Sequence, residues 1–273
     1  LSKTIKKIIR QIQTFTENAN VVLDLVTRRY EMIPAMTPEL KEIAHRLRAQ
    51  TFGDELKYEK IPGPMESDVH DAHADQLLLW DHRRKAAIGC VRIVRAEHQG
   101  KRYELPFEEL CATTVPQDKL GPLMNTPAQC VEVSRFLILR QFRAGGQEKS
   151  TPKAAFIALM AGILNFNEAQ GTPHLYAVVE RKLQRAMRQV GIPIDDLGAP
   201  VEHRGLRYPI HMDVRAIRAA LTWSQRFMVF FTGRRMNAHI ARFKNVVKLG
   251  VAGKTLPADP VYQSHTQKIN TAG

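Results

Sequence analysis

The run Val131-Glu132-Val133-Ser134-Arg135-Phe136-Leu137-Ile138 constrains the fold more than any other part of this chain. Its β-branched opening and apolar close argue for a strand. A strand inside a sheet tolerates a glutamate and an arginine only when each has a partner. Regular alternation places Glu132, Ser134 and Phe136 on one face and Val133, Arg135 and Leu137 on the other. After Leu139-Arg140, the loop Arg143-Ala144-Gly145-Gly146 leads to a helix start at Thr151-Pro152. Strand, glycine-bearing turn and helix in that order expose backbone N–H groups where an anion can sit.

The segments on either side supply the rest of a sheet and its helices. Residues 1–30 read as an amphipathic helix, with Ile5, Ile8, Ile9, Ile12 and Phe15 at helical spacing between lysines. Tyr30-Glu31-Met32-Ile33 reads as a short strand, and Thr37-Pro38 as the capped start of a helix carrying Ile43, Leu47 and Phe52. Phe52 to Asp75 is rich in carboxylates and poor in hydrophobics, so it reads as an ordered, functional loop. Gln76–Trp80 and Ala87–Val94 form an antiparallel pair across the charged turn at 81–85. A buried helix over Ala154–Ala169, a strand at Leu175–Val179, a basic helix at Arg181–Val190 and a strand at Tyr208–Val214 follow. That order predicts an α/β (α+β) fold, a mixed sheet with helices on its faces. Residues 215–249 read as helical with a basic side, and 251–273 as a loose tail.

The chain has 273 residues and 44% hydrophobic content, enough for a full core without staples. Its three cysteines, Cys90, Cys111 and Cys130, show no metal or redox spacing and read as small core residues in a reducing compartment. No apolar stretch near either end resembles a leader or a membrane span, so the expectation is a cytoplasmic protein. A net charge of +13 favours acidic partners: a carrier protein, an anionic membrane surface or nucleic acid.

Several short patterns occur in order: Arg48, Phe52 and Tyr58; then Glu66-Ser67-Asp68-Val69-His70-Asp71; then Gly89-Cys90-Val91-Arg92; then Glu132-Val133-Ser134-Arg135-Phe136. Together they resemble the acyl-homoserine-lactone (autoinducer) synthases, a branch of the GNAT-like acyltransferases. That family carries an arginine-phenylalanine-tryptophan set, two aspartates three apart, a strand arginine and a Glu-x-Ser-Arg-Phe strand. The resemblance covers roughly residues 45–215 and is closer still to the acyltransferases associated with PEP-CTERM/exosortase systems. Tyr58 departs from the family's tryptophan. The extra terminal segments divide the chain into a helical extension at 1–29, a GNAT-like domain with a mostly antiparallel twisted sheet at 30–214, a basic helical extension at 215–250 and the tail.

The resemblance implies an N-acyltransferase that moves a fatty acyl group from acyl-carrier protein or acyl-CoA to a small amino-acid-like amine, with no tightly bound cofactor and no metal. Glu132 would take the amine's proton, Arg135 and Ser134 would complete the catalytic strand, and Arg48, Phe52, Tyr58, Asp68, Asp71, Arg92 and Phe136 would bind substrate. Arg143, Gly145 and Gly146 match a pyrophosphate loop only in part, which leans towards a carrier protein's phosphodiester over coenzyme A's diphosphate. One alternative is a synthase that uses S-adenosylmethionine. Another, of a different class, is a basic nucleic-acid-binding protein, which leaves Glu132 and the aspartates unexplained. Three structural readings stay open beside these. Glu132 could merely pair with a buried arginine, Asp68 and Asp71 could be solvated, and Phe52, Phe107, Phe136 and Phe156 could be core or line an acyl tunnel. The basic terminal helices could dock the carrier, rest on a membrane, or complete the core.

Overall fold

The computed structural model describes residues 29–58, 60–143, 151–223, 225–234, 236, 238 and 240. Residues 1–28 of the expected N-terminal helical extension, Gly145, Gly146, the end of the basic extension from 241 to 250 and the tail at 251–273 lie outside the described residues. The sheet runs in chain order through β1 (Tyr30–Pro34), β2 (Ala74–Asp81), β3 (Ala86–Arg95), β4 (Cys130–Ile138), β5 (His174–Glu180) and β6 (Leu206–Asp213). Two-residue strands at Asp195–Asp196 and Val201–Glu202 both pair with β6. Every pairing in this sheet is antiparallel except β4 with β5. That parallel pair is joined through a helix, as parallel strands require. It holds register only from Cys130 opposite His174 to Glu132 opposite Tyr176.

Helix α1 (Pro38–Arg48) starts where the sequence places it, with Thr37 capping Leu40 and proline in the first turn. It continues as a π-helical segment, Ala49–Glu55, which carries Phe52. Helices α2 (Pro106–Leu110), α3 (Thr151–Gln170), α4 (Arg181–Gln189) and α5 (Val214–Ala220) complete the frame. α3 is apolar nearly all round and packs on one face of the sheet with Met32, Leu77, Leu79, Val91, Ile93 and Val131. The other face is divided. Ile33, Leu78, Trp80, Cys90 and Leu137 pack beneath α1, and Val94, Phe107, Leu123, Cys130 and Tyr176 form a second apolar cluster. Sheet alternation places Gln76, Arg92, Glu132 and Ser134 on this same face, so a polar stripe crosses the sheet between two apolar blocks.

One sequence expectation changes. The alternation of β4 breaks at a bulge: Cys90 pairs with Leu137 and Arg92 with Ser134, so Val91 alone faces both Arg135 and Phe136. Arg135 has φ +52°, a left-handed conformation that costs an arginine about 1 kcal/mol. The bulge moves Arg135 and Leu137 onto the face of Glu132 and Ser134, and turns Phe136 to the α3 side, where it packs on Phe156. Within the helical stretch expected over 215–249, α5 ends at Ala220 and helical residues resume at 223. The break is a capping box at Thr222: Gln225 accepts from the Thr222 N–H, and Thr222 Oγ1 accepts from the Gln225 N–H. Ile217, Val229, Met236 and Ile240 on these segments belong to the same apolar core as α3.

Gly89 lets the strands close on this bulge. A Cβ there would lie 2.5 Å from the Leu137 carbonyl oxygen, which is backbone and cannot rotate aside. Gly89→Ala is expected to lower stability by about 1–3 kcal/mol in urea titration, the usual range for forced overpacking. A variant as stable as the parent would show that the β3–β4 approach is not tight.

Candidate active site

Three guanidinium groups and three carboxylates interlock on the polar stripe. Arg48, fully buried on the last turn of α1, donates through Nε to Glu66 and through both terminal nitrogens to Asp71 at 2.7 and 3.0 Å. Arg92 donates through Nε to Ser134 Oγ at 3.0 Å and through Nη1 to Asp68 at 2.6 Å. Arg135 donates through Nε and Nη2 to Glu66 at 3.1 and 2.8 Å, and reaches Asp68 at 3.2 Å. The short 3₁₀ helix Val69–His73 fixes the aspartates: Asp68 caps it by accepting from His70 N–H, and Asp71 accepts back from Asp68 N–H at 2.8 Å. Gln76 Nε2 donates to Asp71 as well.

The electrostatics follow from this geometry. Burial alone would raise the Glu66 pKa, but Arg48 and Arg135 outweigh it and hold the carboxyl down at about 2. Asp71 is likewise held well below the usual carboxylate range, despite burial, chiefly by Arg48. Both aspartates are thus occupied with arginines, and Asp68, at 29% side-chain exposure, is the more accessible.

Glu132 is different. It is 4% exposed, and burial pushes its pKa up to about 7, against the opposing pull of the Phe107 N–H and the charges of Arg92 and Arg135. Oε2 accepts from the Phe107 N–H at 2.7 Å, while Oε1 accepts from no donor among the described residues. Its partner is therefore a backbone amide at the start of α2, not the buried arginine that the bland reading supposed. The carboxylate sits where the β4–β5 register ends.

Other expected residues are placed less centrally. Phe52 lies under the Arg135 guanidinium, 5.5 Å from its carbon, and stacks on Tyr58. The Tyr58 hydroxyl accepts from Arg207, 149 residues away in sequence. Phe136 faces away from the polar stripe and, with Val133, Leu175, Ala177, Val179, Met160 and Met187, lines a small apolar cavity of about 40 Å³. Phe107 stacks on Tyr176, and Phe156 lines a separate apolar pocket against residues 225–229. Arg143 ends a short helical turn, and its side chain is outside the described residues. Glu66 is the participant that sequence reasoning missed as a site residue. The available signal was its place two residues before Asp68 in a loop too acidic for a linker. Burial pushes the Cys130 thiol up to about 12, which argues against a nucleophile there. Among the described residues no group of three or more His, Cys, Asp or Glu is arranged to hold a metal ion.

A family profile described as an acetyltransferase (GNAT) domain matches residues 47–151, the span from the end of α1 to the start of α3. The structure superposes on the acyl-homoserine-lactone synthase LasI with a TM-score of 0.52 at 17% identity, covering 71% of this chain and 95% of that one. It also superposes on BjaI, a CoA-dependent acyl-homoserine lactone synthase solved with SAM and isopentyl-CoA, with a TM-score of 0.50 at 21% identity over 70% of this chain and 87% of that one. Fold and family profile thus define an acyltransferase of the GNAT class. An acyl-homoserine-lactone synthase of Rhizobium radiobacter is 30% identical over 161 residues, 58% of this chain and 70% of the relative. The chain belongs to the acyl-homoserine-lactone synthase family.

Proposed function

We propose that this enzyme transfers a fatty acyl group from the thioester of an acyl-carrier protein or acyl-CoA to the amine of an amino-acid-like acceptor, with Glu132 as the base. The observation that carries this reading is one buried carboxylate with a pKa near 7, anchored through a single oxygen at the point where β4 and β5 part. A base is most useful when its pKa lies near the working pH. Glu132 takes a proton from the acceptor amine, the amine nitrogen bonds to the thioester carbon, the carbon–sulfur bond breaks, and the proton passes to the departing sulfur. Ser134 Oγ accepts from Arg92, so its own hydrogen is left to donate to the oxyanion that develops on the carbonyl. Asp68 and the acidic loop attract the acceptor's cationic end, and Arg92 and Arg135 hold that loop against the strand.

The acyl tail passes between the parted strands into the cavity beside Phe136. Its almost wholly apolar lining suits an acyl chain, and Met160 and Met187 are the flexible side chains that would shift to admit one. Ala177→Phe is expected to cut transfer of a sixteen-carbon acyl group at least tenfold while sparing a six- or eight-carbon group. Equal losses for both lengths would place the tail elsewhere.

A second reading takes S-adenosylmethionine as the acceptor, favoured by the name of the R. radiobacter relative and by the SAM bound to BjaI. Tyr58, where the family has tryptophan, and the basic segment after β6 weigh towards the PEP-CTERM/exosortase-associated branch instead. One assay separates them: purified enzyme is given carrier-bound or CoA-bound acyl groups with either SAM or free amino acids, and the products are read by mass spectrometry. An N-acyl amino acid supports the first reading, and an acyl-homoserine lactone the second. Neither product with any acceptor, under conditions where the protein is folded, would end both.

A further inference from the structure

The helical residues that follow the Thr222 cap carry two different stripes. Val229, Gly233, Met236 and Ile240 are buried against the core, and Asn165 of α3 ties them down by donating to the Val229 carbonyl at 2.9 Å. The other stripe has nothing to do with folding. Trp223 is 80% exposed, Phe230 56% and Phe227 39%, and Arg234 lies over the Phe230 ring. Positions 223, 227, 230 and 234 follow each other at the spacing of one helix face. Trp223 stacks on Phe227 at 5.9 Å, so the rings form one ridge and not scattered surface residues. Charge follows the same pattern: residues 214–250 contain eight arginines and lysines and no aspartate or glutamate.

We propose that this ridge seats the enzyme on an anionic bilayer, with Trp223, Phe227 and Phe230 in the headgroup–acyl boundary and Arg226 and Arg234 on lipid phosphates. Exposed Trp and Phe flanked by basic residues on an amphipathic helix are the composition that lies in the plane of a membrane. Basic residues next to such a face are attracted to anionic lipid. No helix among the described residues is long and apolar enough to cross a bilayer, so the contact is with its surface. An acidic carrier protein fits this face less well. The helical residues that carry the ridge pack on α3 through Val229, and α3 covers the sheet face opposite Glu132, so a carrier docked here would deliver its arm to the wrong side. Nucleic acid would explain the arginines and leave the protruding rings without a use.

The chain has two tryptophans, and Trp80 is 8% exposed in the core, so an emission change on adding vesicles reports Trp223. The full-length protein is titrated with vesicles of phosphatidylglycerol and phosphatidylcholine, with phosphatidylcholine alone, and with vesicles carrying brominated acyl chains. The expected result is a blue shift with mixed vesicles, quenching by the brominated chains, and at least tenfold weaker binding to the neutral vesicles. A variant with Trp223→Ser, Phe227→Ser and Phe230→Ser should lose at least tenfold in vesicle sedimentation while keeping acyl transfer to soluble substrates. Quenching in the wild type tests insertion even if that variant folds poorly. Absence of quenching, or sedimentation unchanged in the serine variant, overturns the proposal. Binding of duplex DNA or carrier protein that only the wild type shows, without vesicle quenching, overturns it too and gives the ridge to that partner.

Discussion

Glu132→Gln is expected to abolish acyl transfer and at the same time to make the protein more stable above pH 7. The two effects have one cause. A base that must be neutralised by burial to reach a pKa of about 7 is held in a place that penalises its charge. As a catalyst it is worth roughly 10²–10⁴ in rate, and glutamine cannot accept the proton. The wild-type kcat/KM should rise with pH through about 7, and the variant's residual rate should lack that limb. For stability the sign runs against the usual carboxylate. The folded pKa is about 7 and the ordinary value 4.5, so between these the folded state holds more protons than the unfolded chain. Stability therefore falls as pH rises through that window, and the whole cost is present above it. At about 1.4 kcal/mol per unit, that cost is at most about 3–4 kcal/mol. Glutamine removes the charge, and its carbonyl can still accept from the Phe107 N–H. Thermal melts of both proteins at several pH values test this: the advantage of the variant should be near zero around pH 4 and grow towards pH 8. A difference that does not change with pH, or a variant that retains transfer within a few-fold, would remove Glu132 from the role of base.

Most of the sheet could be read from the chain because its strands pair in sequence order and their apolar residues alternate in short, well-separated runs. β2 and β3 announce themselves through the charged turn between them, and α1 through Thr37-Pro38. The constellation of Arg48, Asp68, Asp71, Arg92 and Glu132 was legible as an ordered set of residues, though not as a geometry. The bulge at Arg135 was not legible, because it arises from the long-range pairing of β3 with β4 and uses no glycine on the bulged strand to signal it. Strict alternation therefore sent Arg135, Phe136 and Leu137 to the wrong faces. The bond from Arg207 to Tyr58 spans 149 residues and has no local pattern. Glu66 was hidden for another reason: its importance comes from two arginines on different elements that converge on it, and neither is near it in sequence. The Thr222 cap, by contrast, was written in the chain as Thr-x-x-Gln and was masked by the apolar residues that continue on both sides of it.

Arg48→Met should be the most destabilising single change in the site, by about 3–5 kcal/mol in urea titration at neutral pH. Arg48 is fully buried, and three of its nitrogens are bonded to Glu66 and Asp71. Methionine fills the space of the side chain but leaves two buried carboxylates without their main cation. Lysine keeps the charge yet offers a single point in place of a planar fork, so Arg48→Lys should fall between the two. The pH dependence separates this from simple packing loss. The Glu66 carboxyl is held at about 2 in the folded protein against an ordinary 4.5, so its bonds stabilise the fold fully above 4.5 and are lost as pH falls through about 2. The gap between wild type and Arg48→Met should therefore be widest above pH 5 and narrow as acid protonates Glu66, whereas a packing defect would keep the same gap. Arg92→Met should cost less, because its principal acid partner, Asp68, is 29% exposed and can turn to water. Activity should fall with Arg48→Met even where the protein remains folded, since Arg48 is the side chain that ties Asp71 to α1, while His45 holds only the backbone of Glu66. A variant within about 1 kcal/mol of the parent, with a flat pH dependence, would show that the network decorates the site without holding it.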